Sequence, residues 1–262
     1  MQLREIIKKL EIKYPLNSQQ SWDNSGLQIG CLDATITKAY VALDVEIEHV
    51  NRAIDEGAEL LITHHPLFFD SIKSLEKNCF YYELIKMAMT HDINIVSFHT
   101  NFDSSPEGMI YTPFDDFWRG GKERFVEEEG QFFGFKTMVD PIALRDFAKQ
   151  IGNRVATSSP LDIRVYGNPD KIVKSIAFMG GSGGGYVAEA IAMGCDLYIT
   201  GDVKYHQQQA AQRDGMAVMD LGHGGSEVHF VDIMKTNLEE MGLSVIGSHS
   251  FFGSSIHGQC ID

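Results

Sequence analysis

Apolar and polar residues recur along the chain with two different periods, which predict helices and short buried strands. Near the start, apolar residues at helical spacing alternate with charged ones and predict an amphipathic helix: Leu3, Ile6, Ile7 and Leu10. The sequence contains neither the apolar core of a secretion signal nor an apolar run long enough to cross a bilayer. We therefore expect a protein that is neither exported nor inserted into a membrane.

Short apolar segments alternate with helical segments over most of the chain. The predicted strands are Lys38–Leu43, Glu59–Thr63, Ile93–Phe98, Ser175–Met179, Asp196–Thr200 and Met216–Leu221. The predicted helices are Glu46–Glu56, Phe80–Thr90, one that ends at Ala192 and one that ends at Gln212. Short apolar strands separated by helices are typical of parallel βαβ units, so the sequence predicts an α/β fold with parallel-rich sheets.

Two helix–strand junctions resemble each other. Residues 53–63 read AIDEGAELLIT and residues 190–200 read AIAMGCDLYIT, so that six of eleven positions are identical. We interpret this as a duplicated βαβ unit that produces two facing α/β halves, although any helix–glycine–strand junction gives a similar pattern. The segment Ser104–Gly130 is less regular, and we expect it to be a connection whose acidic run Glu127–Glu129 is a solvated face.

Polar residues follow four of the predicted strands. In chain order they are His64 and His65, then His99 and Asp103, then Asp202 and His206, then His223 and Glu227. Ligands bind beyond the carboxyl ends of strands in open parallel sheets, so we expect these side chains to converge on a site shared by the two halves. Clustered imidazoles and carboxylates are costly to bury, and a divalent cation supplies the missing positive charge.

The expected metal ligands are three imidazoles and two carboxylates: His64, His65, Asp103, His223 and Glu227. This set suits two divalent ions about 3.5–4 Å apart, and mixed nitrogen and oxygen donors suit Zn, Fe, Mn, Co or Ni. Pro66 favours an extended pair of histidines whose side chains point to opposite sides and serve different ions. We expect Asp103 on a loop, and a helix that begins at Ser226 or Glu227.

Composition limits the function classes. The chain has 262 residues, with 22 Lys and Arg against 36 Asp and Glu, and a net charge of −14, which argues against general nucleic-acid binding. Its four cysteines form no C-x-x-C pair, which excludes a thiolate zinc motif and favours a cytoplasmic location. The glycine-rich turn after Met179 could hold an anion on the backbone of Gly181, Gly183 and Gly184. A tight strand-to-helix crossover is the alternative interpretation of that turn.

Five segments taken together resemble the Nif-three-like family, whose members are often named GTP cyclohydrolase I type 2. They are SWDNSGLQIG (21–30), ITHHPL (62–67), SFHTNFD (97–103), TGDVKYH (200–206) and MDLGHGGSE (219–227). The resemblance implies a two-part α/β fold, a dinuclear metal site with the same five ligands, and a homohexamer. It further implies domains at 1–125 plus 223–262 and at 126–222. The chain departs from the family at Ser104–Met109 and at Gly224–Gly225; the ligands are kept, but the resemblance does not define the shape of the pocket or the substrate.

The expected function is metal-dependent hydrolysis of a small-molecule substrate. If the cyclohydrolase label applies, water opens the imidazole ring of GTP and releases formate. His99 or His206 is the expected proton shuttle because an imidazole titrates near neutral pH, and Asp202 is expected to orient one of them. A non-catalytic metal-trafficking or regulatory protein and a two-metal phosphoesterase require the same ligands and stay open as alternatives.

Overall fold

The structure, a computed structural model, describes residues 1–77, 79–109, 114–155 and 163–250. It divides into two compact units, each of which contains one β-sheet. Within the described residues, the first unit comprises 1–108 and 230–250, and the second comprises 109–229. The domains predicted from the sequence differ from these units in assigning 109–125 and 223–229 to the first.

The elements alternate between helix and strand along most of the chain. The helices are α1 (Leu3–Lys13), α2 (Ile47–Asp55), α3 (Phe80–Thr90), α4 (Thr100–Asp103), α5 (Leu144–Val155), α6 (Val187–Ala192), α7 (Tyr205–Arg213), α8 (His223–Glu227) and α9 (Phe230–Glu240). The strands are β1 (Gly26–Ile29), β2 (Lys38–Ala42), β3 (Leu60–Thr63), β4 (Asn94–Ser97), β5 (Trp118–Glu128), β6 (Gln131–Ala143), β7 (Arg164–Tyr166), β8 (Ile172–Phe178), β9 (Leu197–Thr200), β10 (Ala217–Asp220) and β11 (Ser244–Gly247).

The first unit is built on a sheet with the strand order β1-β4-β3-β2-β11. Strands β4, β3, β2 and β11 run parallel, and β1 pairs antiparallel with β4 at one edge. Every residue of β3 and β4 is buried, as a parallel sheet covered by helices requires. Helix α1 buries the four apolar residues that the sequence pattern places on its inner face. The predicted parallel α/β architecture is therefore confirmed for this unit.

The second unit is built on a mixed sheet with the order β5-β6-β8-β9-β10-β7. Strands β8, β9 and β10 run parallel, whereas β5, β6 and β7 add antiparallel pairs at the two sides. The parallel strands carry the apolar core of the unit, which includes Ala177, Tyr198 and Val218. Both sheets are thus mixed, with parallel strands at their centres.

The expectation of an irregular connection over Ser104–Gly130 is wrong, because this segment contains the eleven residues of β5. Strands β5 and β6 form a hairpin whose two turn residues, Glu129 and Gly130, have φ values of 49° and 78°. Two left-handed residues define the turn type that matches the twist of a hairpin. Most side chains of β5 are exposed, so its sequence lacks the apolar run by which the buried strands were recognised.

The duplicated βαβ unit is confirmed by the order β2–α2–β3 in the first sheet and β8–α6–β9 in the second. The carboxylate before the second strand has the same role in both copies. Glu59 accepts hydrogen bonds from the backbone N–H groups of Thr37 and Lys38. Asp196 accepts them from the backbone N–H groups of Lys174 and Ser175.

The pKa values of both carboxyls reflect this role. Burial alone would raise the pKa of Glu59, but the hydrogen bonds from Lys38 and Thr37 outweigh it and lower that pKa below its ordinary value. Burial likewise opposes the hydrogen bonds to Asp196, and the net effect is again a lowered pKa. Each carboxylate is therefore held in its charged form at the helix–strand junction of its copy of the unit.

Among the helices in the described ranges, none combines the length and the apolar character that crossing a bilayer requires.

Candidate metal centre

Three histidines of the first unit lie together beyond the carboxyl ends of β3 and β4. One ring nitrogen from each of His64, His65 and His99 lies within 4.8 Å of the others. The side chain of His64 is fully buried, and those of His65 and His99 are 16% and 10% exposed. The centroid of the His64 ring lies 5.0 Å from those of His65 and His99, and the centroids of His65 and His99 lie 5.4 Å apart. The structure thus brings together two predicted ligands and one predicted proton shuttle.

Each of these imidazoles is anchored through Nδ1. His64 Nδ1 lies 2.9 Å from the carbonyl oxygen of Phe98, His65 Nδ1 lies 2.7 Å from Asp44 Oδ1, and His99 Nδ1 lies 2.9 Å from Asp23 Oδ1. Carbonyl and carboxylate oxygens accept hydrogen bonds, so each Nδ1 donates its proton and each Nε2 keeps a lone pair. Metal-binding histidines are typically fixed in this way by a partner on the second nitrogen. The three side chains therefore fit a metal site.

Asp23 is the most strongly held of these anchoring groups. Its side chain is fully buried and also accepts hydrogen bonds from the backbone and the hydroxyl of Thr100. Burial alone would raise the pKa of Asp23, but the hydrogen bond and charge of His99, together with the bond from Thr100, lower that pKa far below its ordinary value. Asp23 is therefore a carboxylate at neutral pH and holds the orientation of the His99 ring.

Asp103 supplies a carboxylate to the same group of side chains. Its Oδ1 lies 3.5 Å from Nε2 of His64. Two ligands bound at about 2.1 Å to one tetrahedral ion lie about 3.4 Å apart, so this separation matches shared coordination. Asp103 is the last residue of the short helix α4, which begins after His99. The expectation that Asp103 lies on a loop is wrong, because α4 continues through it.

In the second unit, α8 holds the other two predicted ligands. His223 Nε2 lies 3.3 Å from Glu227 Oε2, which is again close to the separation expected for two ligands of one ion. The predicted start of this helix at Ser226 or Glu227 is wrong, because α8 begins at His223 directly after Gly222, whose φ is 72°. Residues four apart on one helix lie on the same face, so the helix itself brings the two donors together.

Asp202 anchors His223 in the way that Asp23 anchors His99. Its Oδ2 lies 2.8 Å from His223 Nδ1 and accepts a hydrogen bond from the Ser182 hydroxyl at 2.7 Å. Burial raises the pKa of Asp202, but the hydrogen bonds from His223 and Ser182 give a net lowering. Asp202 itself adopts a left-handed φ of 56°, which is uncommon for a residue other than glycine. The carboxylate predicted to orient a proton shuttle thus contacts a predicted metal ligand.

The glycine-rich turn packs closely against the end of β9 and against α8. The N–H of Gly181 donates to Ser226 Oγ at 2.8 Å, and the N–H of Gly183 donates to the Gly181 carbonyl at 2.9 Å. A Cβ on Gly183 would overlap Thr200 Oγ1, and one on Gly184 would lie 2.5 Å from the Asp202 carbonyl oxygen. This packing and the φ of 64° at Gly181 favour the crossover interpretation. Anion binding by these glycines stays a prediction.

Two further sequence expectations need comment. The prediction that His64 and His65 point to opposite sides is wrong, because both backbone N–H groups donate to the Leu43 carbonyl and bend the chain. This bend lets the two rings converge. The second expectation concerns His206, the alternative proton shuttle. His206 lies exposed in the first turn of α7 and belongs to no group of candidate metal-binding side chains among the described residues.

Sequence reasoning missed the two anchoring carboxylates of the first unit. Asp44 lies just beyond the end of β2, so the rule that singled out the other strand ends also applied to it. Asp23 lies in the segment SWDNSGLQIG, which was noted for its resemblance to a family and was given no chemical role. Its partner His99 is 76 residues away in sequence, so spacing alone could not pair them.

Comparison with known proteins identifies the family. The family profile described as Duf34/NIF3 (NGG1p interacting factor 3) matches residues 1–250. The chain belongs to the Duf34/NIF3 family. A relative from Campylobacter jejuni named "GTP cyclohydrolase 1 type 2 homolog" is 32% identical over 247 residues, covering 94% of this chain and 95% of its own length. A relative of the same name from Streptococcus pneumoniae is 34% identical, covering 87% and 86%. The family resemblance predicted from the sequence is confirmed.

Solved structures of similar proteins confirm the fold class. Staphylococcus aureus protein SA1388 superposes with a TM-score of 0.86 at 27% identity, covering 98% of this Duf34/NIF3 chain and 99% of its own. Reduced HcgD from Methanocaldococcus jannaschii superposes with a TM-score of 0.81 at 25% identity, covering 96% and 98%.

Proposed function

We propose that this Duf34/NIF3 protein is a metal-dependent hydrolase that acts on a small-molecule substrate. The observation that carries the proposal is the anchoring of His64, His65, His99 and His223 through Nδ1, which is how metal-binding histidines are typically oriented. The carboxylate of Asp103 lies 3.5 Å from Nε2 of His64, and that of Glu227 lies 3.3 Å from Nε2 of His223. Mixed imidazole and carboxylate donors suit Zn, Fe, Mn, Co or Ni.

In this proposal the protein's own side chains have distinct tasks. Divalent metal would be held in the first unit by His64, His65 and Asp103. In the second unit it would be held by His223 and Glu227. When bound, such an ion supplies Lewis-acid activation of water near neutral pH. His99, fixed by Asp23, positions an imidazole Nε2 to accept or return a proton at the reacting group. That the donors of both units serve one dinuclear centre stays a prediction from the sequence.

The names of the relatives suggest the substrate class. They support a purine nucleotide as substrate, with hydrolytic opening of the imidazole ring as in a GTP cyclohydrolase. A homohexameric assembly, also implied by the family resemblance, is part of the proposal.

The proposal is tested by a turnover assay on metal-loaded protein with GTP, other nucleotides and phosphoesters. Formate release from GTP that disappears in both His64→Ala and Glu227→Ala, and persists in His206→Ala, supports cyclohydrolase activity. Cleavage of phosphoesters with the same dependence on the two ligands supports the phosphoesterase alternative. Metal retained at the wild-type level with no turnover of any compound contradicts a hydrolase and supports a metal-trafficking or regulatory protein.

A further inference from the structure

The first unit contains a cavity that the proposed metal chemistry does not use. Its volume is about 790 Å³, within the usual range for small-molecule sites. It lies between the loop before β1, the loop after β3 and helix α3, and half of its lining residues are apolar or aromatic. The apolar and aromatic lining residues are Trp22, Phe68, Phe69, Ile72, Leu75 and Ile85. We call this space the Trp22 cavity.

Two aromatic side chains of the cavity remain open to a ligand. Trp22 is 58% exposed and Phe69 is 48% exposed, although both are large apolar residues. Exposed apolar surface of this kind often marks a binding site. Each ring also contacts the ring of His99 in a near-perpendicular arrangement, at centroid distances of 5.7 Å for Trp22 and 5.5 Å for Phe69. The Trp22 cavity therefore adjoins the histidine that the proposed mechanism uses.

Hydrogen bonds from the turn before β1 hold the wall of the cavity in place. Asn24 Nδ2 donates to the Phe68 carbonyl at 2.7 Å, and the Phe68 N–H donates to Gln28 Oε1 at 3.2 Å. Gln28 in turn donates to the Asn24 carbonyl at 2.7 Å. Both backbone groups of Phe68 are thus fixed, which sets the position of the neighbouring Phe69. A preformed wall lowers the entropic cost of binding.

The charges around the cavity indicate what part of a ligand it recognises. Its charged lining residues are Asp23, Asp70 and Lys73. Asp23 is already engaged by His99 and Thr100, and Asp70 and Lys73 carry opposite charges. A cavity for phosphate groups would need several cations or aligned backbone N–H groups. The lining instead offers aromatic faces, which bind planar rings by stacking regardless of their substituents.

We propose that the Trp22 cavity binds the planar heteroaromatic ring of the substrate, with Trp22 and Phe69 as stacking residues. This inference rests on the proposed function, because it places the substrate ring beside His99. It adds a specificity determinant that lies outside the metal ligands. It also gives a role to the SWDNSGLQ segment, which forms one wall of the cavity and supplies the carboxylate that holds His99.

The test is isothermal titration calorimetry on metal-stripped full-length protein with two probes that differ only in the base: guanosine 5′-monophosphate and ribose 5-phosphate. We expect the nucleotide to bind at least about fivefold more tightly, since stacking of one base contributes a factor of about five to about 150. Trp22→Ala and Phe69→Ala should each weaken nucleotide binding about fivefold or more, and Trp22→Phe should retain most of it. Tyr205→Ala, which removes an aromatic ring that is 72% exposed in the second unit, is the matched control and should bind normally.

Several outcomes overturn the inference. Equal affinity for the two probes shows that the base is not recognised, and unchanged nucleotide binding in Trp22→Ala shows that the ring lies elsewhere. Failure of both guanosine and cytidine 5′-monophosphate to bind at millimolar concentration also contradicts it. Because the protein is metal-stripped, these results do not depend on turnover. If the protein prefers the nucleotide over ribose 5-phosphate but shows no hydrolase activity, only the proposed function is contradicted. If it is a hydrolase but binds the two probes equally, only the assignment of the cavity is contradicted.

Discussion

The anchoring of His99 by Asp23 leads to the most quantitative prediction. In Asp23→Asn the side chain keeps its shape but loses its charge and one of its two acceptor atoms. The native carboxylate accepts from His99 Nδ1 at 2.9 Å and from the backbone of Thr100 at 3.0 Å, in a fully buried position. The new NH₂ group must face one of these donors. If it faces His99, the ring loses the acceptor that keeps the proton on Nδ1 and the lone pair on Nε2.

The expected loss of stability follows from these contacts. A hydrogen bond to a charged group contributes about 1.5–3 kcal/mol, and a buried donor left without an acceptor costs about 1–3 kcal/mol. Because the amide oxygen still satisfies one side, we expect Asp23→Asn to lower the free energy of unfolding of the first unit by about 2–4 kcal/mol. The lowered pKa of Asp23 adds a pH dependence. The stabilisation is present above the unfolded pKa of about 3.9 and is lost as pH falls through the lower folded value, so the difference from wild type should shrink in acid.

The assay is urea denaturation of metal-stripped protein followed by tryptophan fluorescence. The chain has two tryptophans, Trp22 in the first unit and Trp118 in the second, so a Trp118→Phe background reports on the first unit alone. Asp33→Asn is the matched control, because Asp33 pairs with Arg4 at the surface and such pairs contribute about 0–1 kcal/mol. The reasoning is refuted if Asp23→Asn costs no more than Asp33→Asn, or if its effect is the same at pH 7 and in acid.

Three further predictions concern other parts of the molecule. Glu59→Gln should lower the free energy of unfolding by about 1 kcal/mol at pH 7, measured by urea denaturation. This loss should vanish as pH falls from the unfolded pKa of about 4.3 through the lowered folded pKa, and a loss that is independent of pH contradicts the account. Gly181→Ala should reduce metal binding in a dialysis assay, because the added Cβ would overlap Glu227 Oε1 and the φ of Gly181 is 64°. The control Gly185→Ala, with nothing within 4 Å of the added Cβ, should bind metal normally, and equal binding by both variants refutes the packing argument. Static light scattering should give a mass six times that of the chain, and a monomer mass would contradict the proposed hexamer.

The buried strands and the histidines that lie beyond their ends were predictable because each follows from local sequence. Strands such as β3 are buried throughout, and parallel pairing places the residues after them at one edge of the sheet. His64 could therefore be assigned before the fold was known. The same reasoning failed for β5, since an antiparallel strand with a mostly exposed surface has few apolar residues to reveal it.

The direction of the side chains could not be predicted, because it depends on long-range hydrogen bonds. The proline after His65 favours extended backbone, but two hydrogen bonds to the Leu43 carbonyl bend the chain and turn both rings to the same side. The pairing of Asp23 with His99 likewise joins residues 76 apart. Such contacts decide which nitrogen of each imidazole is available, and they become visible only in the folded chain.

Metal content tests the central claim most directly. The full-length protein is loaded with Zn²⁺, Fe²⁺ or Mn²⁺ under anaerobic conditions, desalted, and analysed by plasma emission spectroscopy alongside His64→Ala, Glu227→Ala and the exposed control His206→Ala. We predict at least one tightly held ion per chain in the wild type and in His206→Ala, and a clear loss of metal in both ligand variants. Wild-type protein that retains no metal, or His64→Ala and Glu227→Ala variants that retain as much as wild type, would contradict the account.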